Sequence, residues 1–245
     1  LQDAVRTIQQ EHLRPELRML DQEMFALSWA QYEQRRDSAS PADQRVAAAA
    51  LRNAAYFAVP LSLLDPAFVP PEEIAPLVEA ERSLIAAGEA ITVSPLLDLP
   101  GIPEAEKQQL DYKAFVPPGS TDLGAYFQAL TWHRQISLRP TQREEMRSAA
   151  LIGYTLAAHP AARILWERVY GGVSYLEGSD ASFTPLQYAA LIEAAWEGEA
   201  GPDIVADEIG MDALTQAVRA LPLPGNPLWA FWTKEGLPPR AWRFM

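Results

Sequence analysis

SPADQRVAAAALRNAAYFAV, residues 40–59, decides the fold. Ser40 before Pro41 reads as a helix N-cap with proline at the first helical position, where its missing N–H costs nothing. The alanine-rich run from Ala47 to Ala55 has high helix propensity. Its small side chains also let neighbouring helices approach closely. The same signal extends in both directions. On the N-terminal side, Val5, Ile8, Leu13, Leu17, Leu20, Met24 and Leu27 recur at spacings that line one helix face, with Pro15 expected to break or restart that helix near its second turn.

On the C-terminal side, Pro70-Pro71-Glu72-Glu73 predicts a helix start, with acidic residues facing the positive end of the dipole and the helix running to about residue 90. Residues 91–119 are proline-rich and weakly periodic. They read as a long ordered loop with a short helix at 103–110. Further helices are expected over 122–136, from a capping box at Thr141-Gln142-Arg143-Glu144 to about residue 158, over 160–169, from a second capping box at Thr184-Pro185-Leu186-Gln187, and over about 203–219. Gly171-Gly172 reads as a helix breaker, and Val173 to Leu176 as a short extended piece. The expected fold is therefore all-α: one irregular multi-helix domain over 1–220 in two layers, followed by a Pro/Trp-rich strap over 221–245.

Composition narrows the function classes. The chain has 245 residues, a net charge of −12 and no cysteine. Such acidity opposes nucleic-acid binding, since it repels phosphate backbones. Without cysteine there are no disulfides, iron–sulfur clusters or zinc–thiolate sites. No uninterrupted apolar run reaches the roughly 18 residues of a membrane span. The three histidines, His12, His133 and His159, lie too far apart to form a metal pair within one helix. A hydrolase triad would need one of them to be oriented by a carboxylate from a distant segment. Asp203/Asp207 and Glu208/Asp212 share helix faces at i, i+4, but the ordered calcium-loop pattern is missing, and a solvated acidic face is the expectation. No metal or cofactor is expected.

The middle of the chain is rich in aromatics. Asp111-Tyr112-Lys113-Ala114-Phe115-Val116-Pro117-Pro118-Gly119 precedes a helix with Tyr126, Phe127, Leu130 and Trp132, then His133 and Arg134. Two readings stand: a pocket that stacks on a sugar or peptide, or aromatics that hold a proline-rich loop onto a helical core. In the tail, Trp229, Phe231, Trp232, Trp242 and Phe244 lie among prolines with Lys234, Arg240 and Arg243, typical interface anchors, and the segment is expected either to clamp onto its own core, the preferred reading, or to dock on a partner.

These motifs resemble the bacterial and archaeal family of unknown function numbered 3160, with its Asp-Tyr-x-x-Phe-x-Pro-Arg-Gly-His-Tyr segment and following Tyr-Phe-x-Ala-Met-x-Trp helix. Arg52 to Val59 with Leu64-Asp65-Pro66, and Leu165-Trp166-Glu167-Arg168-Val169-Tyr170, are similar to further family segments. The chain departs from the family at Pro118-Gly119-Ser120-Thr121, where the Arg, His and Tyr are replaced by groups that do not titrate near neutrality. The resemblance implies an extracytoplasmic location. It also implies that the chain is part of a longer polypeptide, because a similar Arg-Phe-Met is normally followed by more protein.

The expected function is a non-catalytic, exported or cell-surface helical module that binds a protein or glycan partner, or a subunit of a larger assembly. Candidate binding residues are Tyr112, Phe115, Tyr126, Trp132, His133, Arg134, Trp229, Trp232 and Trp242. The alternative is a carboxylate-based hydrolase using Glu167, Glu177 and Asp180 beside Gly171-Gly172.

Overall fold

A computed structural model describes residues 2–117, 121–177, 184–196 and 201–220. Nine α-helices are placed among these residues: α1 (Gln2–Ile8), α2 (Arg14–Glu33), α3 (Pro41–Leu64), α4 (Ala75–Ala87), α5 (Gly124–Gln135), α6 (Arg143–Ala158), α7 (Pro160–Glu177), α8 (Pro185–Ala195) and α9 (Glu208–Ala220). The fold is all-α. A two-stranded antiparallel hairpin, β1 (Ile91–Val93) with β2 (Gln109–Asp111), is the one sheet among the described residues, in the register Ile91↔Asp111.

Helix α3 is the central element and packs on α2, α4, α5 and α6. Ser40 caps it through its side chain, accepting from the Asp43 N–H. The alanines at 47, 49, 50, 54 and 55 are all buried, which is how α2 comes close along its length. By length and composition α3 is also apolar enough to cross a membrane, yet 78% of its apolar window is buried inside the protein.

Pro60 lies inside α3, and the helix continues to Leu64. Proline has no N–H to give, so the carbonyl four residues back, that of Tyr56, loses its helical donor. The indole Nε1–H of Trp132 on α5 donates to that oxygen at 2.9 Å. A defect in one helix is thereby satisfied by the aromatic signature of another.

Several expectations change. Pro15 does not break the first helix. The helical path instead changes register: a π-helical turn at Gln9–Leu13 leads directly into α2, which restarts at Arg14 with Pro15 as its second residue. Residues 72–74 form a turn, and α4 begins only at Ala75, ending on Gly88 in the left-handed conformation (φ 60°). A side chain at Gly88 would meet Val116 at 2.7 Å as well as strained backbone. The 103–110 helix is replaced by a three-residue 3₁₀ turn at Glu104–Glu106 and by β2. Helix α6 is capped at Gln142 without a side-chain bond, so Thr141 is not its cap. The Thr184 box holds, with the Thr184 N–H donating to Gln187 Oε1 at 2.7 Å.

The Gly171-Gly172 pair breaks nothing, and Val173 to Leu176 is helix, because α7 runs unbroken from Pro160 to Glu177. A Cβ at Gly172 would lie 2.5 Å from Leu13 Cδ2, whereas one at Gly171 would meet nothing. Gly172 is small so that α7 can seat against the N-terminal helix.

Candidate functional site

The signature loop is fastened by one buried carboxylate. Glu81 on α4 accepts the Ser94 hydroxyl at 2.5 Å and the Leu96 N–H at 3.0 Å on Oε1, and the Tyr112 hydroxyl at 2.6 Å on Oε2. Burial raises the Glu81 pKa, and the three donors act against that rise. Burial, followed by the facing Glu81 charge, pushes the Tyr112 phenol well above its ordinary value, so it remains a donor. Phe115 stacks on Tyr112 with centroids 5.7 Å apart. Gln135, at the end of α5, occupies the outer edge of β2 like a strand. Its Oε1 accepts from the Asp111 N–H at 3.1 Å, and its Nε2 donates to the Asp111 carbonyl at 3.0 Å. A lone amide thus covers the hairpin's edge.

A second buried chain joins three helices. Asp21 Oδ1 of α2 lies 2.8 Å from His133 Nε2 of α5, and His133 Nδ1 lies 2.9 Å from the Tyr56 hydroxyl of α3. Asp21 and His133 are fully buried, and Tyr56 nearly so. Burial raises the Asp21 pKa, and the neighbouring imidazole opposes the rise. Burial, with a further push from Asp21, holds the Tyr56 phenol protonated. The carboxylate, imidazole and hydroxyl have the order of a hydrolytic triad, but the hydroxyl is a sealed phenol and no substrate reaches it. The arrangement fixes α2, α3 and α5 to one another.

The structure therefore brings Tyr112, Phe115, Tyr126, Trp132 and His133 together as core, each 0–3% exposed. None offers a ring face to solvent. Arg134 is half-buried in the last turn of α5. Trp229, Trp232 and Trp242 lie outside the described residues. So does Asp180, as does the side chain of Glu177, while Glu167 pairs with Arg163 at 3.0 Å. Beside the signature, a depression of about 180 Å³ is lined by Leu63, Arg82, Ile85 and Gln128. That is smaller than the roughly 300–1,000 Å³ of typical ligand sites.

The acidic run is exposed, as expected, but several of its carboxylates are paired with arginines. Arg35 meets both Asp43 and Asp203 at 2.6 Å, Arg147 meets Glu208 at 2.5 Å, and Arg143 pairs with Asp212. Arg147 is itself buried and also donates to the Val205 carbonyl. Arg143 and Arg147, on α6, tie α9 to the body, and Arg35, in the loop after α2, ties down the 3₁₀ turn at Pro202–Ala206. Among the described residues no three His, Asp or Glu side chains gather as metal ligands.

A family model described as a protein of unknown function, DUF3160, matches residues 2–237. The chain belongs to the DUF3160 family. No curated protein and no solved structure matches it. The DUF3160 match runs from α1 through α9 and on past Trp229 and Trp232.

The surface of this DUF3160 chain holds a feature that sequence reading missed. Helix α7 packs on α2 and on the turn before it, with Leu13 against Gly172 and Glu16 within 3.8 Å of Arg168. The two helices are therefore antiparallel. Ile164, Arg168 and Tyr175 fall at i, i+4 and i+11 on one face of α7. Met19 lies one turn beyond Glu16, and Ile8 about two turns before it. This register sets Met19 level with Ile164 and Ile8 level with Tyr175. All four apolar residues are exposed: Tyr175 by 88%, Ile164 by 49%, Met19 by 41% and Ile8 by 39%. The sequence hides the stripe because Ile8 joins the same periodic pattern as the buried leucines.

Proposed function

We propose that this DUF3160 chain is a non-catalytic helical module that binds a protein partner, exported or held at the cell surface as a subunit of a larger assembly. The observation behind this reading is the apolar stripe along the α2–α7 seam, centred on an arginine and a glutamate. Contiguous exposed apolar residues on a soluble surface mark interaction sites. Tyrosine and arginine are the side chains that most often anchor protein interfaces. A protein partner is favoured over a glycan because the described signature aromatics, whose faces would stack on a sugar, are buried.

The test compares the chain with a variant carrying Ile164→Asp and Tyr175→Asp as baits in extracts of the native cell envelope. Both positions are exposed, so the variant folds, and circular dichroism checks this. The wild type is expected to retain a defined protein that the variant loses. Equal retention of every captured protein by both baits contradicts the proposal.

A further inference from the structure

We infer that the partner of the α2–α7 face is a second copy of this chain. The inference rests on the docking-face reading above and names its occupant. A two-fold interface must be self-complementary: if residue i of one copy touches residue j of the other, residue j of the first touches residue i of the second. The stripe has that character. Its centre holds one cation and one anion side by side, Arg168 and Glu16, at 3.8 Å. Their separation is too long for a direct hydrogen bond. Arg168 is 62% exposed and Glu16 is 23% exposed. The apolar residues flank this centre on both sides, Ile8 with Tyr175 at one end and Met19 with Ile164 at the other.

Rotating a second copy by half a turn about an axis through the charged centre does two things at once. With the axis parallel to the two helices, it places each Arg168 over the other copy's Glu16, and it lays each Tyr175 on the other copy's Ile8 and each Ile164 on the other copy's Met19. A partner of uniform charge would leave one of the two central charges opposed. Gly171 lies on the same face between Arg168 and Tyr175, with nothing near its Cβ position, so the helix backbones can approach there.

The scale fits a weak, reversible dimer. From Ile164 to Tyr175 the stripe is roughly 17 Å long, and two adjacent helices are about 20 Å wide. With its rim this is on the order of 500 Å² per copy, below the roughly 800 Å² of a standard stable interface. A dissociation constant of roughly 10–100 µM is expected.

Sedimentation velocity across that concentration range tests the inference, using the full chain and the Glu16→Arg, Arg168→Glu and doubly reversed variants. The wild type is expected to shift from monomer to dimer. Each single reversal is expected to weaken self-association at least tenfold, since it opposes like charges twice across the axis. An equimolar mixture of the two single variants is expected to dimerise again, which also shows that both are folded. The doubly reversed chain is expected to dimerise as the wild type does.

A wild type that stays monomeric overturns the inference, as does a single reversal that dimerises unchanged. If the monomeric wild type still captures a different protein in a Tyr175-dependent way, the docking face stands and only its occupant is wrong. If that capture fails too, both readings fall.

Discussion

Replacing Tyr112 by Phe removes one oxygen and almost no volume, so it isolates the hydroxyl that meets Glu81. The Tyr112 hydroxyl is the donor recorded on Glu81 Oε2, at 2.6 Å, while Oε1 keeps Ser94 and Leu96. Leaving a buried acceptor without its partner costs about 1–3 kcal/mol, and the upper part of that range applies to an ionised carboxylate. At 2–3 kcal/mol the melting temperature of a chain of this size falls by roughly 4–12 °C.

The effect has a definite pH dependence. Burial already raises the Glu81 pKa, and removing a donor that lowers it raises it further. A raised carboxyl contributes stability that is present below its unfolded value, roughly 4.3, and is lost as pH rises through the folded value. The variant's deficit is therefore largest near neutrality. It shrinks toward about 1 kcal/mol once Glu81 is protonated in both proteins. Thermal melts by circular dichroism, near pH 7 and again near pH 4, read both quantities. A deficit under about 0.5 kcal/mol, the size of an ordinary surface change, or one that grows on acidification, refutes the Glu81 account of the signature.

His133→Ala strands the Asp21 carboxylate and the Tyr56 hydroxyl in the core, and a loss of about 3–5 kcal/mol is expected in chemical denaturation. Trp132→Phe keeps an aromatic ring but orphans the Tyr56 carbonyl freed by Pro60. A loss of about 1–3 kcal/mol is expected, and Pro60→Ala in the same background should recover part of it. The two adjacent glycines should behave oppositely: Gly171→Ala gains about 0.8–1 kcal/mol from helix propensity, while Gly172→Val loses about 1–3 kcal/mol by driving into Leu13. Arg147→Met removes the buried guanidinium that joins Glu208 and the Val205 carbonyl, and faster hydrogen exchange in α9 than in α3 is expected.

The helices were legible where a local rule decides them. Ser40-Pro41 and Thr184-Pro185 start helices because their cap chemistry acts within one turn. The hairpin was not legible, since strands of three residues are too short to show an alternating pattern. Gly172 misleads for a related reason: its helical cost is local, and the close approach of Leu13 that justifies it is set by distant chain. The signature aromatics were visible as a cluster, but their function as core depends on Glu81 and Pro60, which lie far from them in sequence. Likewise His133 finds Asp21 across 112 positions, and Asp203 finds Arg35 across 168. Pairings at such range leave no periodic trace.

The docking face is tested most directly by placing a photoreactive benzoylphenylalanine at Tyr175 and, separately, at Val69. Both positions are open, at 88% and 82% exposure, but Val69 is on the connection between α3 and α4 and not on the stripe. The account predicts a discrete cross-linked species from position 175 and none from position 69. No adduct at position 175, or the same adducts from both positions, would contradict it.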